Sequence, residues 1–200
     1  MSNNIIDRLD FIRDLLEDAG DMIVVTGIGT PGSNTRNVAD RGLNFYISGA
    51  MGCASGVGLG MALARPDRKV TVITGDAELM MNVGTLASIA VARPRNLSIV
   101  VIDNERFGAT GSQISHTAHG VDIAGIAKAS GFPLAETVRE QADVTRVRAR
   151  IHANEGPYLC VAKVGANRRV APGGGSRIRD GVMTKFDFQR ALEASDAGQA

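Results

Sequence analysis

The stretch Arg68–Met81, RKVTVITGDAELMM, joins a β-branched apolar run to a Gly-Asp pair and then to helix-favouring residues. It reads as a buried strand that stops at Asp76 and hands over to a helix. A second unit of the same kind follows at Asn96–Gly108, NLSIVVIDNERFG, whose apolar run ends on Asp103 and Asn104. Apolar residues at successive positions, not alternate ones, belong to strands covered on both faces, as in parallel sheets.

The same alternation extends outward in both directions. DMIVVTG (21–27) is a short strand opening into a glycine-rich loop at 27–34, and residues 44–47 begin a strand followed by a glycine turn. A further short strand falls at 134–137, and PYLCVAKV (157–164) is the last. Between these lie helical patterns. Ile5, Leu9, Ile12 and Leu16 recur at helical spacing over 3–18, with Gly20 as terminator. A small-residue helix runs to Ala64 and is stopped by Arg65-Pro66-Asp67; others occupy 80–92, 121–132, 140–153 and 183–195. The expectation is an α/β protein, a three-layer α/β/α sandwich on a mainly parallel sheet, forming a single domain over 1–200. GANRRVAPGGGSRIRDG (165–181) reads as a mobile surface arm, and 105–120 as a long polar loop.

Bulk composition narrows the function. A net charge of +1, without a Lys/Arg run, argues against nucleic acid or an anionic membrane surface as partner. Two cysteines, Cys53 and Cys160, are too few for a disulfide framework or an iron–sulfur cluster. The N-terminal residues lack the uninterrupted apolar core of a signal peptide, and a cytoplasmic location is expected. Glycine is the outlier at 24 of 200 residues, clustered at 27–32, 49–60 and 108–120, where backbone can approach a ligand closely.

In doubly wound sheets, ligands bind beyond the carboxyl ends of the strands. Gly27–Thr30, Gly75-Asp76 and Asp103-Asn104 all fall there. Asp76 and Asn104 are hard oxygen donors, suited to Mg²⁺, which favours octahedral oxygen coordination and keeps phosphate oxygens among its ligands. The helix after Asp76 can offer its first amides to the same phosphates. Taken singly, Asp76 could be a helix cap and Asn104 a turn residue.

Together, the two strand ends resemble the Gly-Asp-Gly…Asn motif of thiamine-diphosphate enzymes, with 25 residues between Ala77 and Asp103. The resemblance implies Mg²⁺ ligation by the Asp76 and Asn104 side chains and the Arg106 backbone carbonyl. Ala77 stands where the motif has its third residue, usually glycine, and Asp103 replaces the first of a paired asparagine; neither removes a side-chain ligand. Glu78 would stand near the diphosphate and offer only its backbone amide. SGAMGCASGVGLGMALA (48–64) resembles the turn beneath the cofactor's aminopyrimidine. On that resemblance Met51 enforces the bent conformer, and the Gly49 carbonyl accepts from the 4′-amino group. VVTGIGT (24–30) resembles the first-strand loop, making Gly29 and Thr30 diphosphate contacts, with Gly75, Ala77 and Gly108 beside them. From about residue 20 to 190, the chain is most similar to the diphosphate-binding modules of 2-oxoacid decarboxylases acting on sulfopyruvate and phosphonopyruvate.

In that family the activating Glu sits on a separate pyrimidine-binding module. No second α/β unit is present in the sequence, so the resemblance implies a partner subunit and a heteromeric lyase acting on a small 2-oxoacid. His116 and His119, in the loop after the metal-binding turn, are candidates for substrate carboxylate contact or proton transfer; Arg106, Gln113 and Ser115 are further polar candidates. Two other readings stand beside this one: an acetolactate-synthase-like carboligase, and a non-catalytic nucleotide- or phosphate-binding domain. The second lacks both a Walker lysine and a well-placed G-x-G-x-x-G turn.

Overall fold

The computed structural model of the chain describes residues 6–165 and 180–198. Most of the arm expected at 165–181 lies outside the described residues, as do the first residues of the helix expected at 3–18.

Six strands form the main sheet: β1 (Ile23–Thr26), β2 (Asn44–Tyr46), β3 (Val70–Gly75), β4 (Leu97–Asp103), β7 (Leu134–Val138) and β8 (Tyr158–Lys163). Their order is β2-β1-β3-β4-β8-β7, and every neighbouring pair is parallel. β3 and β4 run in register over six pairs, from Val70↔Leu97 to Gly75↔Ile102, so Asp76 and Asp103 emerge side by side. The chain passes from β1 outward to β2, then crosses back to β3 on the other side of β1. The loops leaving β1 and β3 therefore diverge and open a crevice between them.

Burial along the strands follows the sequence. All seven residues of β4 are buried, and successive side chains feed opposite cores. Ile99 and Val101 join Val72, Leu159 and Val161 beneath α3 (Ala54–Ala64), α5 (Thr85–Ala92) and α6 (Ile123–Ser130). Val100 and Ile102 join Ile73, Cys160 and Ala162 beneath α1 (Arg8–Leu15) and α7 (Asp143–His152), with α2 (Thr30–Ala39) at the margin. This is the expected three-layer arrangement, with a core on each face of the sheet. The close packing of α3 on the sheet depends on Gly58, where a β-carbon would lie 2.3 Å from Val72 Cγ2.

α8 (Gly181–Ala197) closes the α3 face, placing Phe188 edge-on to Phe45 with ring centroids 5.5 Å apart. Its far end is tied down by Arg68, a buried side chain that donates to Asp196 Oδ1 at 2.5 Å, Ser195 Oγ at 3.0 Å and the Asp21 carbonyl at 3.1 Å.

Three segments differ from the sequence reading. The loop at 27–34 is shorter than expected because α2 begins at Thr30, with Pro31 supplying the φ preset for a first helical turn. The helix expected at 80–92 begins only at Thr85, as α5, after a turn containing Gly84; a separate short helix, α4 (Asp76–Met80), follows β3 directly. The loop at 105–120 carries its own order: an antiparallel ribbon of β5 (Arg106–Phe107) with β6 (Gln113–Ile114), and a 3₁₀ turn at His116–His119.

Candidate active site

Asp76 is 2% exposed at the carboxyl end of β3. Its Oδ2 accepts a hydrogen bond from Ser115 Oγ at 2.5 Å and lies 3.1 Å from Thr117 Oγ1. The Thr117 hydroxyl also reaches Asp103 Oδ1 at 2.8 Å. A hydroxyl carries one proton, so Thr117 satisfies only one of these two carboxylates at a time. Asp103, 1% exposed, is further held by an ion pair from its Oδ2 to Lys163 Nζ at 2.8 Å. Lys163 in turn donates to Glu105 Oε1 at 2.7 Å.

These contacts set the local electrostatics. Burial lifts the Asp76 carboxyl above its usual range; donation from Ser115 opposes that shift and the charge of Asp103 adds to it. Burial works against the Lys163 ammonium, but its bonds to Asp103 and Glu105 outweigh this and raise its pKa. The pair makes Asp103 a compensated buried charge, whereas among the described residues Asp76 has only hydroxyl and amide partners. A cation at Asp76 would remove the imbalance.

Asn104 turns the chain. Its Oδ1 accepts the Arg106 amide at 3.2 Å, and Glu105 between them takes a left-handed φ of 60°. The turn directs residues 104–108 back over the end of β3. The resulting cleft, about 110 Å³, is lined by Gly29, Thr30, Met51, Gly75, Asp76, Ala77, Glu78, Asn104, Arg106 and Gly108. It is smaller than the 300–1,000 Å³ usual for a fully enclosed small-molecule site, so one end of a ligand fits and the rest stays uncovered by this chain.

Met51 is 61% exposed on the rim, so core packing does not explain it. Gly49, at φ 80°, shapes the same turn but does not line the cleft. Glu78 lines the cleft with its side chain already engaged. Its carboxylate is buried, accepting from Thr74 Oγ1 at 2.8 Å, with burial raising its pKa against the Thr74 bond and the amides of Ile28, Gly52 and Gly75. The side chain thus braces the loop after β1.

The loop histidines face outward. His116 is exposed, edge-on to Phe107 with centroids 6.0 Å apart, and His119 is exposed. Neither lines the cleft; the inward positions of this segment are Ser115 and Thr117. Sequence reading ranked Ser115 with other polar candidates and missed Thr117 and Arg8, a buried arginine in the cleft wall. An arginine in the first turn of a helix, where the dipole disfavours cations, is the signal that could have marked it.

Residues 27–162 match the family described as "Thiamine pyrophosphate enzyme, C-terminal TPP binding domain". The chain belongs to this family. Among its members, the sulfopyruvate decarboxylase subunit beta of Methanocaldococcus jannaschii is 43% identical over 126 residues, 62% of this chain and 66% of that one. The phosphonopyruvate decarboxylase of Streptomyces viridochromogenes is 35% identical over 147 residues, 74% of this chain and 36% of that enzyme. The benzoylformate decarboxylase of Polynucleobacter necessarius superimposes with a TM-score of 0.71 at 16% identity, over 81% of this chain and 34% of that one, a likeness of fold alone. Membership makes thiamine diphosphate the ligand class of this domain. No helix among the described residues is long and apolar enough to cross a membrane.

Proposed function

We propose that this chain is the diphosphate-binding subunit of a heteromeric 2-oxoacid decarboxylase of the sulfopyruvate/phosphonopyruvate type. The observation that carries the reading is that Asp76 and Asn104, from neighbouring strand ends, line one cleft with an exposed Met51 at its rim. The donor set fits Mg²⁺. Among the described residues no group of three or more His, Cys, Asp or Glu could hold a metal, so a cation here would draw on amide, carbonyl and phosphate oxygens around a single carboxylate.

When bound, thiamine diphosphate supplies the electron sink for loss of CO₂ from a 2-oxoacid. The chain's own residues do the holding. Asp76, Asn104 and the Arg106 carbonyl would take the metal, and Gly29, Thr30, Gly75 and Ala77 would surround the diphosphate. Met51 would support the cofactor's bent conformer, with the Gly49 carbonyl facing its 4′-amino group. A pyrimidine-binding partner subunit would supply the activating Glu and cover the exposed part of the cofactor, a division that suits the small, open cleft. His116, exposed and packed on Phe107 of the cleft wall, would be a candidate for substrate contact beside that boundary.

The test is to assay CO₂ release from several 2-oxoacids, with products identified, for the chain alone and with a pyrimidine-module subunit. Activity is expected only for the pair, dependent on thiamine diphosphate and Mg²⁺. Turnover by the isolated chain would overturn the two-subunit reading, and a carboligation product would replace the lyase assignment.

A further inference from the structure

Arg8 is the first residue of α1, and it is 7% exposed. Among the described residues no hydrogen-bond or ion-pair partner meets its guanidinium. The carboxylate of Asp7 acts on it at a distance, but that side chain is engaged in capping α1 through the amides of Leu9 and Asp10. The guanidinium is confined, though not sealed from solvent, and burial holds its pKa below the ordinary arginine value. Its position at the start of a helix adds an unfavourable interaction with the helix dipole. Among the described residues no partner offsets these terms, whereas an anion in the cleft would.

The backbone fixes which end of the cleft Arg8 serves. Ile6 bridges Val164 beyond β8, and the Val164 amide donates to the Asp103 carbonyl at 2.9 Å. Arg8 lies two residues beyond Ile6, which Val164 separates from the end of β4, and its side chain lines the cleft with Thr30, Asp76 and Asn104. The other cation in the lining, Arg106, is exposed and donates to the Ser112 carbonyl at 3.0 Å. A diphosphate with one divalent cation remains negative, and it would meet the carboxylates of Asp76 and Glu78. Arg8 is the buried positive charge that can balance it, in a planar fork suited to phosphate oxygens.

We propose that Arg8 pairs with a phosphate oxygen of the bound diphosphate, a role that rests on the reading of the cleft as a metal-diphosphate site. Its test uses calorimetric titration of the full chain, alone and with its partner subunit, with Mg²⁺ plus inorganic pyrophosphate and Mg²⁺ plus thiamine diphosphate. Arg8→Met is expected to weaken both ligands by about ten- to a hundredfold, and Arg8→Lys to recover part of the loss. The ligand-free Arg8→Met protein should melt at the wild-type temperature or above it, because a largely desolvated charge with no partner among the described residues has gone. A lowered ligand-free melting temperature with undiminished diphosphate affinity would show a structural arginine and overturn the proposal. So would unchanged diphosphate affinity with a raised KM only for 2-oxoacids bearing an anionic tail, which would assign Arg8 to substrate. Failure of the wild-type chain and complex to bind either ligand would instead remove the metal-diphosphate reading itself.

Discussion

Gly27 and Glu78 occupy one space: a β-carbon on Gly27 would lie 1.7 Å from Glu78 Oε2. The buried carboxylate can receive its backbone donors only because the loop after β1 has no side chain at that point. Gly27→Ala is expected to expel Glu78 and destabilise the protein by about 1–3 kcal/mol, the usual cost of overpacking. Glu78→Ala in the same chain should relieve the clash, so the two changes together cost less than their sum. A double-mutant cycle by urea denaturation measures this coupling, and strict additivity would show that the carboxylate does not occupy the space over Gly27.

The hydroxyls of Ser115 and Thr117 orient Asp76 from 39 and 41 positions away in sequence. Thr117→Val keeps the shape and removes the donor shared by Asp76 and Asp103. Loss of a hydrogen bond to a buried charge is worth about 1–3 kcal/mol. Retention of Mg²⁺ and thiamine diphosphate should therefore fall roughly ten- to a hundredfold, read by calorimetry. Unchanged retention would mean that the hydroxyl does not position the ligand. His116→Ala, outside the cleft, should leave this binding unaltered.

The raised pKa of Asp76 has a definite sign in stability. A carboxyl whose folded pKa exceeds its unfolded value contributes stability that is fully present below the unfolded value, about pH 4, and lost as pH rises through the folded value. At neutral pH the ligand-free fold therefore carries a cost from this ionised group. Asp76→Asn should be more stable than wild type at pH 7 without ligand, with the difference shrinking toward pH 4. The same variant should lose the melting-temperature increase produced by Mg²⁺ with thiamine diphosphate, and a chelator should erase that increase in wild type. A variant less stable than wild type at pH 7, with the increase intact, would contradict both the electrostatics and the ligand role.

The two cysteines should separate cleanly in reactivity. Cys160 is wholly buried in β8, and burial pushes its thiol up to about 12. Roughly one molecule in ten thousand would then carry the thiolate at pH 8. Cys53 is partly exposed beside the Met51 turn. A chromogenic disulfide reagent is expected to titrate one thiol in the native protein and two in denaturant. Rapid native labelling of Cys160 would contradict the packing of the sheet.

Much of this architecture was legible in the sequence because it is local. Near-continuous apolar runs at 70–75 and 97–103 identified strands buried on both faces, and the polar residues closing them identified the functional edge. Spacing alone placed Asp76 and Asn104 at strand ends, and the resemblance around Met51 marked a residue that the fold leaves exposed. Boundaries governed by side-chain fit were less clear. The early start of α2 and the break between α4 and α5 follow from Pro31 and the turn at Gly84, not from hydrophobic period.

The succession of strands and helices along the chain and the oxygen donors at the strand ends are readable from the residues alone, since both are written in nearest-neighbour patterns. What surrounds those donors is a product of the folded packing. The insertion of β8 between β4 and β7 carries Lys163 to Asp103, the folding back of 113–117 turns Ser115 and Thr117 inward and His116 out, and the bridge at Ile6 brings Arg8 to the cleft. Each joins residues distant in the chain through strand order and register, which the collective packing of both cores sets and no single segment encodes.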